Sequence, residues 1–179
     1  ILDQLFSTSI LTTDPYCIGD KGKIKVTAND VNKQYHFVIN KEGTTDTVGD
    51  TGLIDANFYE FTNIAPGRYD VITTTEDGCY KKEVVEIFSK ELKATASITK
   101  NLTCENGEIT VVASGGTPVV GTPPYYYYYV NGSTVAQTSP IIPIIKPLPP
   151  GGNYQIEVVD AVGCRITLPS IHVDEVAKP

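Results

Sequence analysis

Methionine is absent from the 179 residues and histidine occurs only twice. No stretch approaches the roughly 18 to 20 consecutive apolar residues that a membrane-crossing helix needs. A charged start leading into an apolar core, the mark of a signal peptide, is also missing. With no Met and Ile1 at its start, the chain is expected to be an internal piece or a processed form whose targeting signals lie elsewhere. Basic residues are sparse, 14 Lys and Arg against 21 acids for a net charge of −7 and a pI near 4.8. That balance excludes a nucleic-acid surface, which needs clustered cations. No window of 11 or more residues carries helical spacing, and helix formers are thin. None of the four cysteines falls in a CxxC pair and the histidines are distant, which argues against zinc. His36 and His172 lie in different halves, with no serine or cysteine nucleophile at a recognisable motif, so no enzymatic activity is expected.

What the chain does contain is itself, twice. Tyr69-DVITTTED-Gly78-Cys79 recurs as Tyr154-QIEVVDAV-Gly163-Cys164, while the opening cysteines Cys17 and Cys104 are 87 residues apart and the closing ones 85 apart. A period of that length is a small domain rather than a solenoid turn. Residues alternate with period two: Ile24, Val26 and Ala28 against Lys23, Lys25 and Thr27, then Ile109, Val111 and Ala113 against Glu108 and Thr110. These are half-buried strands. Tyr69, Val71 and Thr73 match Tyr154, Ile156 and Val158, and Asp77-Gly78 and Val162-Gly163 are turn signals, so each copy predicts a closing hairpin. Short strands between turn signals predict an all-β chain of two tandem immunoglobulin-like β-sandwich domains. They are expected at residues 1–90 (core about 6–88) and 91–179 (core about 94–174), with the boundary between Ser89 and Ala94.

The strings Ser114-Gly-Gly-Thr117, Pro124-YYYYYVN-Gly132 and Pro150-GGNYQIEVVDAVG-Cys164 resemble the repeat of the very large gliding-motility adhesins of flavobacteria. In the second copy Cys104, Gly115, Gly116, Thr117, Pro124, Tyr125, Tyr127, Asn131, Gly132, Tyr154, Asp160, Gly163 and Cys164 fall on that pattern, and Tyr129 stands for its tryptophan. The insertion 118–123 and the Ile/Pro-rich segment 140–149 depart from it. The first copy is looser: Tyr35, Phe37 and Ile39 fill the aromatic strand, Gly67 and Tyr69 open the close, and Ala28-Asn29-Asp30 replaces the glycines. The resemblance implies a non-catalytic segment of a large secreted bacterial surface protein, exported by the type IX route, outer-membrane-attached, with mechanical reach and attachment as its work. Neighbouring repeats, surface glycans or other cell-surface proteins are the implied partners.

Four cysteines allow three pairings, and the repeat favours bonds within each copy, Cys17 with Cys79 and Cys104 with Cys164. Each would close a loop of about 60 residues and stabilise a small domain by roughly 4 kcal/mol. The alternative stays open that Cys17 approaches the next domain, because the loop before the second strand and the last hairpin of such a sandwich lie at opposite poles. In the tyrosine run, Tyr125, Tyr127 and Tyr129 share one side and Tyr126 and Tyr128 the other. With the first set facing the core, Tyr126 and Tyr128 are left on the outer face, against neighbouring strands or a glycan. Ile141, Ile142, Ile144 and Ile145 are expected in a proline-barred flap over their own domain, or against a partner. No cofactor is expected. Calcium at a domain junction is the open alternative, with Asp14, Asp30, Asp77 and Asp160 as candidates, while the acids Asp46, Asp50 and Asp55 lack the EF-hand pattern. Asp46-Thr47-Val48 resembles a bacterial O-glycosylation motif at Thr47, and Asn101 and Asn131 begin N-glycosylation sequons. Two other classes remain: a carbohydrate-binding module or stalk of a glycan-degrading enzyme, and a subunit of a surface filament.

Overall fold

The structure, a computed structural model, describes residues 6–100, 107–119, 126–132, 144–148 and 152–174. The chain divides into two compact units. One comprises the residues up to Pro15 together with Gly19–Ser89, the other Tyr16–Ile18 together with the chain from Lys90. Every described element is a strand and every pairing is antiparallel.

The first unit holds β1 (Thr8–Thr13), β2 (Gly22–Ala28), β3 (Tyr35–Lys41), β4 (Thr47–Ile54), β5 (Phe58–Ile64), β6 (Gly67–Thr75) and β7 (Tyr80–Ile87). They form two sheets, β1-β2-β5 and β4-β3-β6-β7. This is the seven-stranded immunoglobulin-like arrangement. The alternation in β2 does what it predicts: Ile24, Val26 and Ala28 are buried while Lys23 and Lys25 are exposed. With Tyr35, Phe37, Ile39, Phe61, Ile64, Tyr69, Val71 and Ile87 they make the core, each large side chain contributing about 1.5–3 kcal/mol by leaving water. Tyr69, at the start of β6, donates from its hydroxyl to the Ala65 carbonyl at 2.6 Å, so its buried ring carries no unmet polar group. Burial raises its pKa. Its ring lies over Gly67, where a Cβ would stand 3.7 Å from the phenol oxygen.

Topology also sets the ends of this unit. Gly22, at the start of β2, pairs with Ile64, at the end of β5, so the β1–β2 connection lies at the end where β6 begins. The β6–β7 hairpin lies at the other end. Nine residues of β6 at about 3.3 Å each separate them by roughly 30 Å.

The second unit contains β8 (Leu92–Lys100), β9 (Gly107–Gly115), β10 (Tyr127–Val130), β11 (Ile144–Leu148), β12 (Gly152–Tyr154), β13 (Ile156–Val159), β14 (Arg165–Thr167) and β15 (Ile171–Val173). The order β11-β9-β8 repeats the three-stranded sheet of the first unit, and β10-β13-β14 repeats β3-β6-β7 of its larger sheet. β12 and β13 together match β6, interrupted at Gln155, and β14 and β15 match β7, interrupted at Leu168-Pro169-Ser170. Pro169 supplies no N–H to a ladder, which accounts for the second break. Leu92, Ile109, Val111, Tyr126, Tyr128, Tyr154, Ile156, Val158, Leu168 and Val173 form the core.

Candidate functional site

The closing hairpins of the two copies agree bond for bond. Thr75 N–H donates to the Cys79 carbonyl at 2.9 Å, as Asp160 N–H does to the Cys164 carbonyl at 3.0 Å. The Gly78 N–H reaches the Thr75 carbonyl at 2.9 Å and the Gly163 N–H the Asp160 carbonyl at 3.2 Å. Both glycines take positive φ, +85° and +90°, which a side chain would resist. The cysteine N–H is met by a side-chain oxygen in each: Thr75 Oγ1 for Cys79 and Asp160 Oδ1 for Cys164, both at 2.9 Å. The same backbone therefore presents Cys79 and Cys164 in the same way.

Asp160 does more than its counterpart Thr75. Oδ1 also accepts from Val162 N–H at 3.0 Å, and Oδ2 accepts from Thr117 N–H at 2.8 Å, so a buried carboxylate ties the Gly115-Gly116-Thr117 corner to the cysteine hairpin. Neither glycine of that corner has room for a side chain: a Cβ on Gly115 would come within 2.1 Å of the Glu91 carbonyl oxygen, and one on Gly116 within 2.7 Å of Asp160 Oδ2. Asp160→Ala removes the acceptor of three charge-assisted bonds and is expected to destabilise the second unit by about 3 kcal/mol, Asp160→Asn by about 1 kcal/mol. Urea titration followed by far-ultraviolet circular dichroism measures both. An alanine variant as stable as the parent would show that the corner stands without its carboxylate.

Cys164 is bonded to Cys17, across a sequence separation of 147 and with Cα atoms 5.2 Å apart. This corrects the expectation of pairing within each copy. Cys17 leaves the first unit between Pro15 and Gly19, at the end opposite the hairpin of Cys79, whereas a disulfide tolerates Cα separations of only about 4.4–6.8 Å. Cys79 is a free, exposed thiol, and Cys104 lies outside the described residues.

The tyrosine run is phased opposite to expectation. Tyr126 and Tyr128 are the core pair, each 4% exposed, and Tyr127 faces out at 36%. Register is the reason: Tyr128 stands directly opposite Val158, itself fully buried, and opposed residues in an antiparallel pair share a face. The Tyr126 hydroxyl donates to the Gly115 carbonyl at 2.8 Å, as that of Tyr35 does to the Asp30 carbonyl at 2.9 Å. Tyr126 and Tyr128 are thus no glycan platform. Exposed rings occur instead at Phe58 and Tyr59 on β5, with the Lys25 ammonium 5.1 Å from the Phe58 centroid.

Of the isoleucines, Ile141 and Ile142 lie outside the described residues. Ile144 and Ile145 belong to β11, which pairs with β9 at the edge of its sheet, so this part is a strand and not a flap. An edge with a register shift before Leu148 is where Pro147 is tolerated. Thr47 opens β4 and is exposed. Among the described residues no cluster of three or more metal-ligating side chains occurs. Asp14 caps the Phe88 N–H, and Asp30 the Asn32 N–H. Asp77 is lowered to about 2, first by its bond to the Lys33 ammonium and then by Thr75. His36 meets Asp50 at 2.6 Å, and His172 meets Asn153 at 2.8 Å, both on the surface. Asn131 spends its side-chain oxygen on the Gln155 N–H at 2.8 Å, while the sequon at Asn101 lies outside the described residues. Among the described residues these candidates sit on separate strands and turns and form no metal-ligating cluster. What the structure brings together is Cys17, Cys164, Asp160 and the glycine corner.

The chain is thus a tandem of immunoglobulin-like sandwiches carrying one described disulfide. No family model matches it, and no curated protein does. Among solved structures it is similar to the C-terminal 282-residue fragment of intimin, in complex with the intimin-binding domain of the translocated intimin receptor. That similarity has a TM-score of 0.45 at 18% identity over 94% of this chain, which spans 64% of the fragment, less than two thirds of its length. It is also similar to murine CEACAM1b, with a TM-score of 0.38 at 14% identity over 95% of this chain and 100% of that one. A third is Dpr2 Ig1-Ig2 in complex with DIP-Theta Ig1-Ig3, at 0.34 and 10% identity over 96% and 99%.

Proposed function

We propose that this chain is a non-catalytic, load-bearing pair of repeats from a long secreted surface protein of the gliding-motility adhesin kind, exported by the type IX route and held at the outer membrane. The Cys17–Cys164 bond carries this proposal. A persistent disulfide fits an oxidising compartment outside the cytoplasm, and this one has a mechanical consequence. When the chain is pulled from its ends, tension passes from Cys17 to Cys164 through the sulfurs, so Gly19–Ser89 and most of the second unit lie outside the load path. Such a chain keeps its reach after a sandwich yields. Neighbouring repeats are its first partners, and surface glycans or cell-surface proteins its targets.

Single-molecule stretching of the full chain tests this. Oxidised protein is expected to withhold the 147-residue interval, and reductant to release it as about 500 Å of additional contour length at roughly 3.5 Å per residue. Equal extension in both states would remove the load-bearing role.

A further inference from the structure

The disulfide joins unlike positions of the repeat: the opening cysteine of the first copy to the closing cysteine of the second. The closing cysteine of the first copy, Cys79, is left unbonded. We infer that Cys79 is a cross-linking site for the opening cysteine of a preceding repeat, so that repeats of this kind are stitched by a staggered series of disulfides.

Two independent observations support it. The Cys79 hairpin reproduces the Cys164 hairpin in its closing bonds, its glycine φ and the side-chain oxygen on the cysteine N–H, and Cys164 at that position is already bonded to an opening cysteine. Cys79 is also exposed and unbonded, at the end of its unit opposite the β1–β2 connection, where its own opening cysteine cannot reach. The ligand is therefore the segment between the first two strands of another repeat, with a cysteine placed as Cys17 is. Cys104 holds the same place in the repeat as Cys17, so a second copy of this chain supplies such a segment.

Bond formation is a two-electron oxidation. Each thiol gives up one proton and one electron, the S–S bond forms, and a small-molecule disulfide such as oxidised glutathione accepts both electrons and both protons and leaves as two thiols. In such an array each bond overlaps the next along the chain. The shortest covalent path uses every second bond, and only the 25 residues (104 − 79) from a closing cysteine to the following opening one lie between the bonds it uses. The inference rests on the chain belonging to a longer array, not on adhesion.

The test uses two copies of the full chain joined end to end, refolded in a glutathione redox buffer, alkylated and mapped by mass spectrometry. The expected result is Cys17–Cys164 in both halves, a third bond from Cys104 of the first half to Cys79 of the second, and two titratable thiols per molecule instead of four. Cys79→Ser in the second half alone should abolish the third bond and leave the other two. Alkylation of Cys79 in both halves, or its pairing with any other cysteine, overturns the inference. So does failure of Cys17–Cys164 to form, which removes its premise. The stretching experiment on the single chain does not involve Cys79, so either proposal can fail alone.

Discussion

Reduction of Cys17–Cys164, or the substitution Cys164→Ser, is expected to cost about 5 kcal/mol of stability against complete unfolding. A bond across 147 residues denies the unfolded chain most of its freedom to separate those two points, and the cost of closing a loop grows only logarithmically with its length. The figure therefore sits just above the roughly 4 kcal/mol of a 60-residue loop. For a domain whose whole stability is about 5–15 kcal/mol, that is a large share. Guanidinium titrations with and without reductant measure it, and Cys79→Ser is the control, since a free exposed thiol should matter by less than about 0.5 kcal/mol. Coincident midpoints for the oxidised, reduced and Cys164→Ser proteins would mean that the bond constrains nothing in the unfolded chain. A loss equal in Cys79→Ser and Cys164→Ser would instead point to the cysteine side chains themselves.

The fold was legible where one strand carries its own phase. In β2 and β9 lysines, threonines and glutamate alternate with Ile, Val and Ala, so the buried face can be named without knowing the partner strand. The closing hairpins were legible for a similar reason: glycine at positive φ leaves a trace in the sequence before a cysteine. The repeat alone favoured the wrong pairing of the cysteines, whereas the opposite poles of an ordinary sandwich had kept open the approach of Cys17 to the next domain that the bond shows, because pairing depends on which end of a sandwich each loop occupies. The role of Asp160 was hidden too. Its partners are backbone N–H groups at Thr117, Val162 and Cys164, which have no side-chain signature, so an isolated acid looks like any other. Only the glycines facing it carried a hint, since Gly116 leaves the space its carboxylate fills.

Five consecutive tyrosines carry no phase at all, and a shift of one residue exchanges every ring between core and surface. The pairing of Tyr128 with Val158 decides it, and the first copy agrees. Phe37 pairs with Thr73 and Tyr35 with Thr75, which correspond in the repeat to Val158 and Asp160, so Tyr128 takes the place of Phe37 and Tyr126 that of Tyr35. Tyr128→Ala is therefore expected to cost about 3–5 kcal/mol, the penalty of emptying an aromatic site in a packed core, and Tyr127→Ala less than about 1 kcal/mol. Burial supplies a second signature, because the Tyr128 phenol is pushed up to about 12. The unfolded chain releases that proton near pH 10, so the contribution of Tyr128 to stability is full below about pH 10 and is lost as the pH rises toward 12. Tyrosinate absorbance during alkaline titration should accordingly show a late class containing Tyr128, and Tyr128→Phe should subtract one ring from it. If Tyr127→Ala proves the more damaging substitution, β10 is paired one residue out of register and the rings at Tyr126 and Tyr128 return to the surface.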